Sequence, residues 1–451
     1  MENAMKPGRY LAAALAALAV SAAATPLLAR QPQPGPAAAA LTSLSPAERT
    51  AALDAIRAKV RELYVFPERR QAIIDRLNAG QKAGRYNLAS PAAFVEAVSA
   101  DLAAASGDKH MYLVVDPAQY AASLAPAGQD GAALDALFAE RARRDNHGLT
   151  EMKILGGNIR YLKIGLFHWV DDVSGQAYAD AMRFLGGGDA IIIDLRGNGG
   201  GSGAAVQYLT SYFTKSEALL LTFLRGSETP VQSRALAYLP GQRLIGRPLY
   251  VLTDRGSGSA AEEFAYHVQQ FKLGELIGQT TAGAANNNDL VPITPGFMLS
   301  ISAGRPVHPV SGGNWEAVGV QPDIEAAPAS ALDLAQQRAL AKLASDPQRS
   351  PVEKAEYAWL SADVAARLSP VTLSGAALEQ LAGRYGEATV TLREGSLWFS
   401  RAGRPERRLT PLDDKGLFGI EGVGGTRLRF FAGGLEMIRF GDPVPVRLLR
   451  P

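Results

Sequence analysis

Ser259 stands where an apolar run meets a helix-like pattern, a position at which a serine can act as a nucleophile. Residues 248–253 predict a buried strand, a glycine-softened loop follows, and Ala260 opens an amphipathic helix pattern. A hydroxyl held at such a turn lies near the free N–H groups of a helix start, which favour developing negative charge. The alternative is that Ser257 or Ser259 only caps the helix.

A glycine-rich loop offers a second chemical element. Residues 190–195 predict a buried strand that opens into the loop 196–203, whose backbone N–H groups form an anion-binding nest. Such a nest suits an oxyanion or a phosphate, or it is a structural turn. Gly199, Gly201 and Ala204 fit the dinucleotide pattern G-x-G-x-x-A only formally, since no acidic residue completes it and the Walker lysine is absent.

Histidine chemistry has few candidates in this chain. The histidines are His110, His147, His168, His267 and His308. His110 follows a helical segment at a predicted turn before a strand. Glu316 lies in a loop just before a turn and could orient a histidine, or it is a solvated surface carboxylate.

Composition narrows the class of protein. The 451 residues are 47% hydrophobic and 20% charged, as in globular proteins. The net charge is +2, and no dense basic run interleaved with aromatics marks a nucleic-acid surface. Cysteine is absent, which excludes disulfides, thiolate nucleophiles and cysteine metal sites.

The N-terminus has the pattern of a secretory signal. Lys6 and Arg9 precede the apolar run 11–24, which is short for a membrane span and ends in small residues that fit a cleavage site. We therefore expect a signal peptide at 1–24, export to the periplasm or medium, and no stable membrane insertion after cleavage. An uncleaved membrane anchor is the alternative. Residues 25–42 form a Pro/Ala linker.

Periodicity divides the remaining chain into four segments. Residues 43–116 predict a helical domain that carries His110, with N-caps at Ser45 and Ser90. Residues 117–330 predict an α/β domain, in which strands near 159–166, 190–195, 218–223, 249–252 and 276–278 alternate with helices and indicate a mostly parallel sheet. Residues 331–370 predict a helical connector, and the period of two in 371–451 predicts a small antiparallel β domain.

Three stretches in this order resemble the tail-specific, or C-terminal processing, serine peptidases. They are Asp194 to Gly201 (DLRGNGGG), Gly256 to Phe264 (GSGSAAEEF), and Asn314 to Asp323 (NWEAVGVQPD). The resemblance is closest to the branch that includes the tricorn core protease and the interphotoreceptor retinoid-binding protein repeats. It implies a crotonase-like α/β catalytic domain. The 88 residues between His110 and Gly199 leave no room for the PDZ domain that this family commonly inserts there.

The resemblance also implies roles for individual residues. Ser259 would be the nucleophile, His110 the general base and Glu316 the residue that orients it. Ala260 N–H, with that of Gly199 or Gly200, would form the oxyanion hole. Many members use a lysine where this chain has Ala284, so a Ser–Lys dyad is not expected here.

Departures and weaker candidates accompany this assignment. Many members have an acidic residue where Gln270 stands, and the tricorn-like branch has a serine where Lys109 stands. Lys272 is the nearby alternative base. His267 lies more than two helical turns beyond Ser259 and is expected to pack or to lie at the surface, whereas His168 lies in an aromatic patch.

The expected function is that of an exported serine endopeptidase acting on peptides or proteins, with no metal or organic cofactor implied. Two other functions fit the same sequence. One is a non-catalytic protein that binds apolar ligands or peptides on this fold, and the other is an esterase or amidase for small substrates. Catalysis requires Ser259, His110 and Glu316 to lie within hydrogen-bonding reach of one another, whereas a binding protein does not require it.

Overall fold

The computed structural model describes residues 41–124, 139–169, 171–226 and 228–451. The predicted signal peptide (1–24) and nearly all of the linker (25–42) lie outside the described residues. No helix in the described ranges is long and apolar enough to cross a membrane.

Helices occupy the N-terminal part, the flanks of the central sheet and the connector. They are α1 (Pro46–Leu63), α2 (Pro67–Lys82), α3 (Pro91–Ser106), α4 (Pro117–Leu124), α5 (Asp171–Gly186), α6 (Gly203–Ser211), α7 (Ala260–Gln270), α8 (Ala331–Ser345), α9 (Pro351–Leu368) and α10 (Gly375–Leu381). The predicted caps are confirmed, because Ser45 and Ser90 accept hydrogen bonds from the first turns of α1 and α3.

The strands form three sheets. Those of the first two are β1 (Tyr112–Val115), β2 (Leu149–Leu155), β3 (Ile159–Ile164), β4 (Ala190–Asp194), β5 (Leu219–Leu224), β6 (Val231–Arg234), β7 (Leu249–Thr253), β8 (Glu275–Gly278), β9 (Asn287–Ile293), β10 (Phe297–Val307) and β11 (Ile324–Glu325). Those of the third are β12 (Gly383–Tyr385), β13 (Ala388–Arg393), β14 (Ser396–Arg401), β15 (Arg407–Pro411), β16 (Leu417–Ile420), β17 (Val423–Phe431), β18 (Gly434–Arg439) and β19 (Val446–Leu449).

The central sheet has the order β11-β8-β7-β4-β3-β2 and is parallel except for β2. Alternate side chains of its buried strands face opposite layers. Ile191 and Ile193 pack with Phe264 of α7, whereas Ile192 packs with Leu340 of α8 on the other face. The sheet is therefore covered by helices on both sides, as the continuous apolar runs predict.

A second sheet is antiparallel and contains β1. Its order is β1-β10-β5-β6, and β9 also pairs with β10. The strand expected near 218–223 lies here rather than in the parallel sheet, because β5 turns back into β6 and pairs antiparallel with the end of β10. The predicted position of this strand was right, and its predicted place in the parallel sheet was wrong.

The N-terminal helices share a core with this second sheet. Phe94 of α3 stacks on Phe297 of β10 with ring centroids 5.6 Å apart. Leu113 of β1 and Leu299 and Ile301 of β10 are buried in the same cluster as α1, α2 and α3. This packing fixes the turn between α3 and β1, which contains His110.

The third sheet runs in chain order from β12 to β19 and is antiparallel throughout. A backbone hydrogen bond from Gly386 to Leu449 brings its first and last strands together, giving a barrel-like shape. Arg427 of β17 lies 3.8 Å from the ring centroid of Trp359 in α9, which attaches the sheet to the helical connector.

Asp101 is expected to hold the helical segment together. Its buried carboxylate accepts hydrogen bonds from Arg76 (2.7 Å), Arg85 (2.8 Å) and Tyr86 (2.6 Å). Replacement by Ala leaves these donors without their acceptor and should lower the free energy of unfolding by about 3 kcal/mol. Asp54→Ala removes an exposed carboxylate that pairs with the partly buried Arg57, and should cost less than about 0.5 kcal/mol.

Chemical denaturation followed by circular dichroism measures both variants. Equal losses in the two would contradict the importance of the Asp101 network.

Candidate active site

Ser259 occupies a strained turn between β7 and α7. Its backbone angles are φ 51° and ψ −117°, which a non-glycine residue adopts only when its surroundings enforce it. The buried strand fixes one side of the turn and the buried helix fixes the other. The side chain is half-buried, so its hydroxyl is partly open to solvent.

Glu262 holds this turn in place. Its buried carboxylate accepts hydrogen bonds from Ser259 N (2.9 Å), Thr281 Oγ1 (2.6 Å), Gly283 N (2.5 Å) and Ala284 N (2.8 Å). It thereby joins the start of α7 to the loop 281–284. The sequence analysis did not single it out, although a glutamate three residues after Ser259 is the capping-box pattern.

The glycine loop lies directly against Ser259. A Cβ placed on Gly200, whose φ is +120°, would stand 2.7 Å from Ser259 Cβ, so only glycine fits. Asn198 is fully buried; its carbonyl accepts from Gly258 N at 2.9 Å and its Oδ1 accepts from Gly200 N at 2.9 Å. Within the described part of the chain, Gly199 N–H has no hydrogen-bond acceptor.

A buried ion pair sets where the glycine loop begins. Asp194, at the end of β4, accepts hydrogen bonds from Arg196 Nε (2.9 Å) and Tyr161 OH (2.8 Å). Burial alone would raise the pKa of Asp194, but the bonds from Arg196 and Tyr161 lower it below its usual value. The carboxylate therefore stays charged and anchors the arginine at the base of the loop.

His110 is presented by the turn between α3 and β1. Asp108 Oδ1 accepts a hydrogen bond from His110 N at 2.9 Å, and Ser300 Oγ of β10 donates to His110 O at 2.5 Å. Asp108 Oδ2 accepts from Asn286 Nδ2 at 3.2 Å. Asp108 was not identified from the sequence. The available signal was that an aspartate can form an Asx turn, in which its side chain accepts from the backbone N–H two residues later.

Glu316 meets His110 in the folded chain. Glu316 Oε2 accepts from the backbone N–H groups of Ala285 (2.7 Å) and Asn286 (2.9 Å). Its Oε1 and the Nδ1 of His110 are both buried without a hydrogen-bond partner. One polar side-chain atom from each of Asp108, His110 and Glu316 lies within 4.8 Å of the other two.

The environment shifts the two ionisable groups in opposite directions relative to their usual values. Burial, and then the charge of Asp108, raises the pKa of Glu316 to about 7 against the lowering effect of its two backbone donors. Burial lowers the pKa of His110, and the charges of Asp108 and Glu262 partly offset this. Near neutral pH the imidazole is therefore largely uncharged, and Glu316 is close to its midpoint.

The same spacing is compatible with a cation but does not require one. Asp108, His110 and Glu316 form the one group of three such side chains close enough for a metal among the residues that the structure describes. Asp108 and one oxygen of Glu316 already have protein donors. The two remaining atoms, His110 Nδ1 and Glu316 Oε1, complement each other as donor and acceptor.

Other sequence candidates lie in different surroundings. The loop 281–284 carries no lysine. Its Ala284 is buried, and the Ala284 N–H donates to Glu262. The ammonium of Lys109 donates to the carbonyl of Ala282. Gln270 and Lys272 lie at the far end of α7, away from Ser259.

The remaining histidines belong to separate contacts. His267 and His308 are buried with ring centroids 5.3 Å apart, so of the two alternatives for His267 the structure shows packing and not the surface. Burial and the neighbouring His267 lower the pKa of His308 to about 3. His168 Nε2 lies 3.4 Å from Asp145, and His147 contacts Ser174 at 2.9 Å.

Comparison with known proteins shows a similarity to one peptidase family. Residues 158–326 match the model of peptidase family S41. The chain is 26% identical over 179 residues to the carboxy-terminal processing protease CtpB of Bacillus subtilis (strain 168), covering 39% of this chain and 35% of that protein. It is 26% identical over 140 residues to the chloroplastic C-terminal processing peptidase of Tetradesmus obliquus, covering 31% and 29%.

The chain thus spans about a third of the length of these curated relatives. Among solved structures, the tricorn protease is similar with a TM-score of 0.41 and 13% identity, covering 70% of this chain and 37% of that one. The family match contains the glycine loop, the Ser259 turn and Glu316, while His110 precedes it. Residues 158–326 of this chain are therefore similar to peptidase family S41.

Proposed function

We propose that this protein is an exported serine endopeptidase that hydrolyses peptide bonds by acyl transfer to Ser259. His110 acts as general base and Glu316 orients it. The observation that carries the proposal is the pair of buried, unpartnered atoms, His110 Nδ1 and Glu316 Oε1, in side chains within 4.8 Å of each other. The strained backbone of Ser259 and the family match over 158–326 support it.

In this mechanism His110 takes the proton of the Ser259 hydroxyl as the oxygen attacks the scissile carbonyl. Glu316 accepts a hydrogen bond from His110 Nδ1–H and stabilises the imidazolium that forms. His110 then gives its proton to the leaving amine, and water hydrolyses the acyl-enzyme by the same steps. The structure shows no hydrogen bond between Ser259 and His110, and the mechanism requires this contact to form when substrate binds.

The oxyanion hole follows from the free N–H groups around Ser259. Ala260 N–H opens α7, and among the described residues no acceptor binds it or Gly199 N–H. Gly200 N–H already donates to Asn198 Oδ1. We therefore assign the two donors to Ala260 and Gly199, in preference to Gly200.

The proposal extends to the parts of the chain around the site. Residues 1–24 act as a signal peptide for export to the periplasm or medium, and the substrates are peptides or proteins. Residues 117–330 form a catalytic domain of crotonase-like topology, flanked by the helical segment 43–116, the connector 331–370 and the β domain 371–451. The central sheet, whose strands lie between Leu149 and Glu325, supports the placement of the catalytic domain.

Labelling with a fluorophosphonate probe tests the nucleophile directly. Wild-type protein should give a single adduct on Ser259, located by intact mass and peptide mapping. Ser259→Ala should give none, and His110→Ala should label at least about 100-fold more slowly because the base is lost. Wild-type protein that stays unlabelled while folded would instead favour a binding protein on this fold.

The glycine loop provides a matched pair of variants. Gly200→Ala places a methyl group 2.7 Å from Ser259 Cβ in a backbone conformation that disfavours side chains, so the labelling rate should fall by at least about tenfold. Gly199→Ala meets no atom within 4 Å and keeps its N–H, so its rate should stay within about threefold of wild type. A larger loss in Gly199→Ala than in Gly200→Ala would contradict the geometry of this loop.

The pH dependence of labelling reports on Glu316. The active form needs neutral His110, whose pKa is lowered, and ionised Glu316, whose pKa is raised to about 7. The rate constant should therefore rise with pH up to and through about 7, as Glu316 loses its proton. Glu316→Gln should be slower by about tenfold or more and should lose this limb, leaving only the titration of His110 at lower pH. An unchanged profile in Glu316→Gln would exclude the role assigned to Glu316.

A further inference from the structure

Asp108 is a buried carboxylate that the proposed triad does not use. It is 2% exposed, and no arginine or lysine pairs with it among the residues that the structure describes. Asp101, seven positions earlier, is buried to a similar degree but pairs with Arg76 and Arg85. An uncompensated buried charge is unfavourable, so Asp108 calls for a different explanation from Asp101.

A turn-forming role accounts for only part of its contacts. An Asx turn needs one oxygen, and Oδ1 supplies it by accepting His110 N–H at 2.9 Å. Oδ2 faces the other way, toward Asn286 Nδ2 at 3.2 Å. The carboxylate also lies within 4.8 Å of polar atoms of both His110 and Glu316.

We propose that Asp108 is a positioning residue of this site, whose carboxylate fixes the turn that presents His110 and supplies negative charge behind both His110 and Glu316. The inference rests on the proposed function. In that reaction His110 becomes an imidazolium, and this transient cation is the partner that Asp108 otherwise lacks. A negative charge already in place stabilises such a cation without reorganisation.

The site therefore contains two carboxylates, those of Asp108 and Glu316, close to one imidazole, that of His110. Burial raises the pKa of Glu316 to about 7, and Asp108 is the largest charged contributor in the same direction. Asp108 also acts to raise the pKa of His110, against the lowering by burial. Removing its charge should lower both pKa values, and both changes move the acidic limb of activity to lower pH.

Other charged and titratable groups face this cluster. They are Tyr64 at the end of α1, Arg69 in α2, Lys109 beside His110, and Glu262 at the start of α7. The Tyr64 hydroxyl is buried, and burial, followed by the charge of Asp108, raises its pKa. None of these groups is replaced in an Asp108 variant, so a shift there reports the loss of the Asp108 carboxylate, with its charge and its bond from Asn286.

The test compares Asp108→Asn with Asp101→Asn. Asparagine keeps the acceptor that the His110 turn needs, removes the charge, and replaces Oδ2, the acceptor for Asn286 Nδ2, by an amide nitrogen. The pKa of the His110 imidazole is measured by NMR on protein with labelled histidines, with His110→Ala to assign the signal and with EDTA present throughout. Fluorophosphonate labelling rates are measured from pH 5 to 9 in parallel.

In Asp108→Asn we expect the His110 pKa to fall by about one unit or more, the acidic limb of labelling to move to lower pH, and the plateau rate to fall about tenfold. Asp101→Asn should lose stability while keeping the His110 pKa and the limb of the wild type.

The two readouts separate this inference from the proposed function. An unchanged His110 pKa in Asp108→Asn overturns the role of Asp108, whether or not the protein is labelled. Equal shifts in the two variants assign the effect to a loosened fold and overturn it as well. If the His110 pKa shifts in Asp108→Asn alone but the wild-type protein is never labelled, the electrostatic role is supported and the peptidase assignment is refuted.

Discussion

Neighbouring parallel strands end at the same edge of a sheet, and the candidate site depends on this constraint. Strands β4 and β7 are paired in the central sheet, so the glycine loop after one and the Ser259 turn after the other must meet. Asn198 carbonyl accepts from Gly258 N, and Ser257 Oγ donates to Leu195 O at 2.8 Å. The proposed oxyanion donors and the proposed nucleophile therefore share one rigid support.

The strained backbone of Ser259 persists because buried groups on both sides determine it. One carboxylate, that of Glu262, accepts hydrogen bonds from both the start of α7 and the loop 281–284. Gly200 lies so close to Ser259 that an added Cβ would stand 2.7 Å from Ser259 Cβ. Strain of this kind is stable only when the surrounding structure fixes it. Positioning of the hydroxyl is therefore a property of packing around the turn and not of the serine itself.

His110 reaches the site by a different route from the other groups. It lies outside the segment that matches the family model, in a turn held by the core that α1, α2 and α3 share with β10. The loop with Glu316 is joined to this region through Asn286, which contacts both Glu316 and Asp108. The cluster behind His110 thus joins parts of the chain that are far apart in sequence, and its electrostatics depend on their docking.

The sequence by itself determined the elements, since their signals are local. Apolar runs marked β4 and β7, the glycines marked the loop at Gly199 and Gly200, and Ser45 and Ser90 marked helix starts. It also supplied Ser259 and Glu316 through ordered motifs and His110 through the family resemblance, although their catalytic roles stay a proposal. Tertiary structure decided which strands pair, because β5 finds its partner in β10, more than 80 residues later. It also decided the roles open to Asp108 and Glu262, because a carboxylate becomes a structural or electrostatic element only when folding buries it among specific donors.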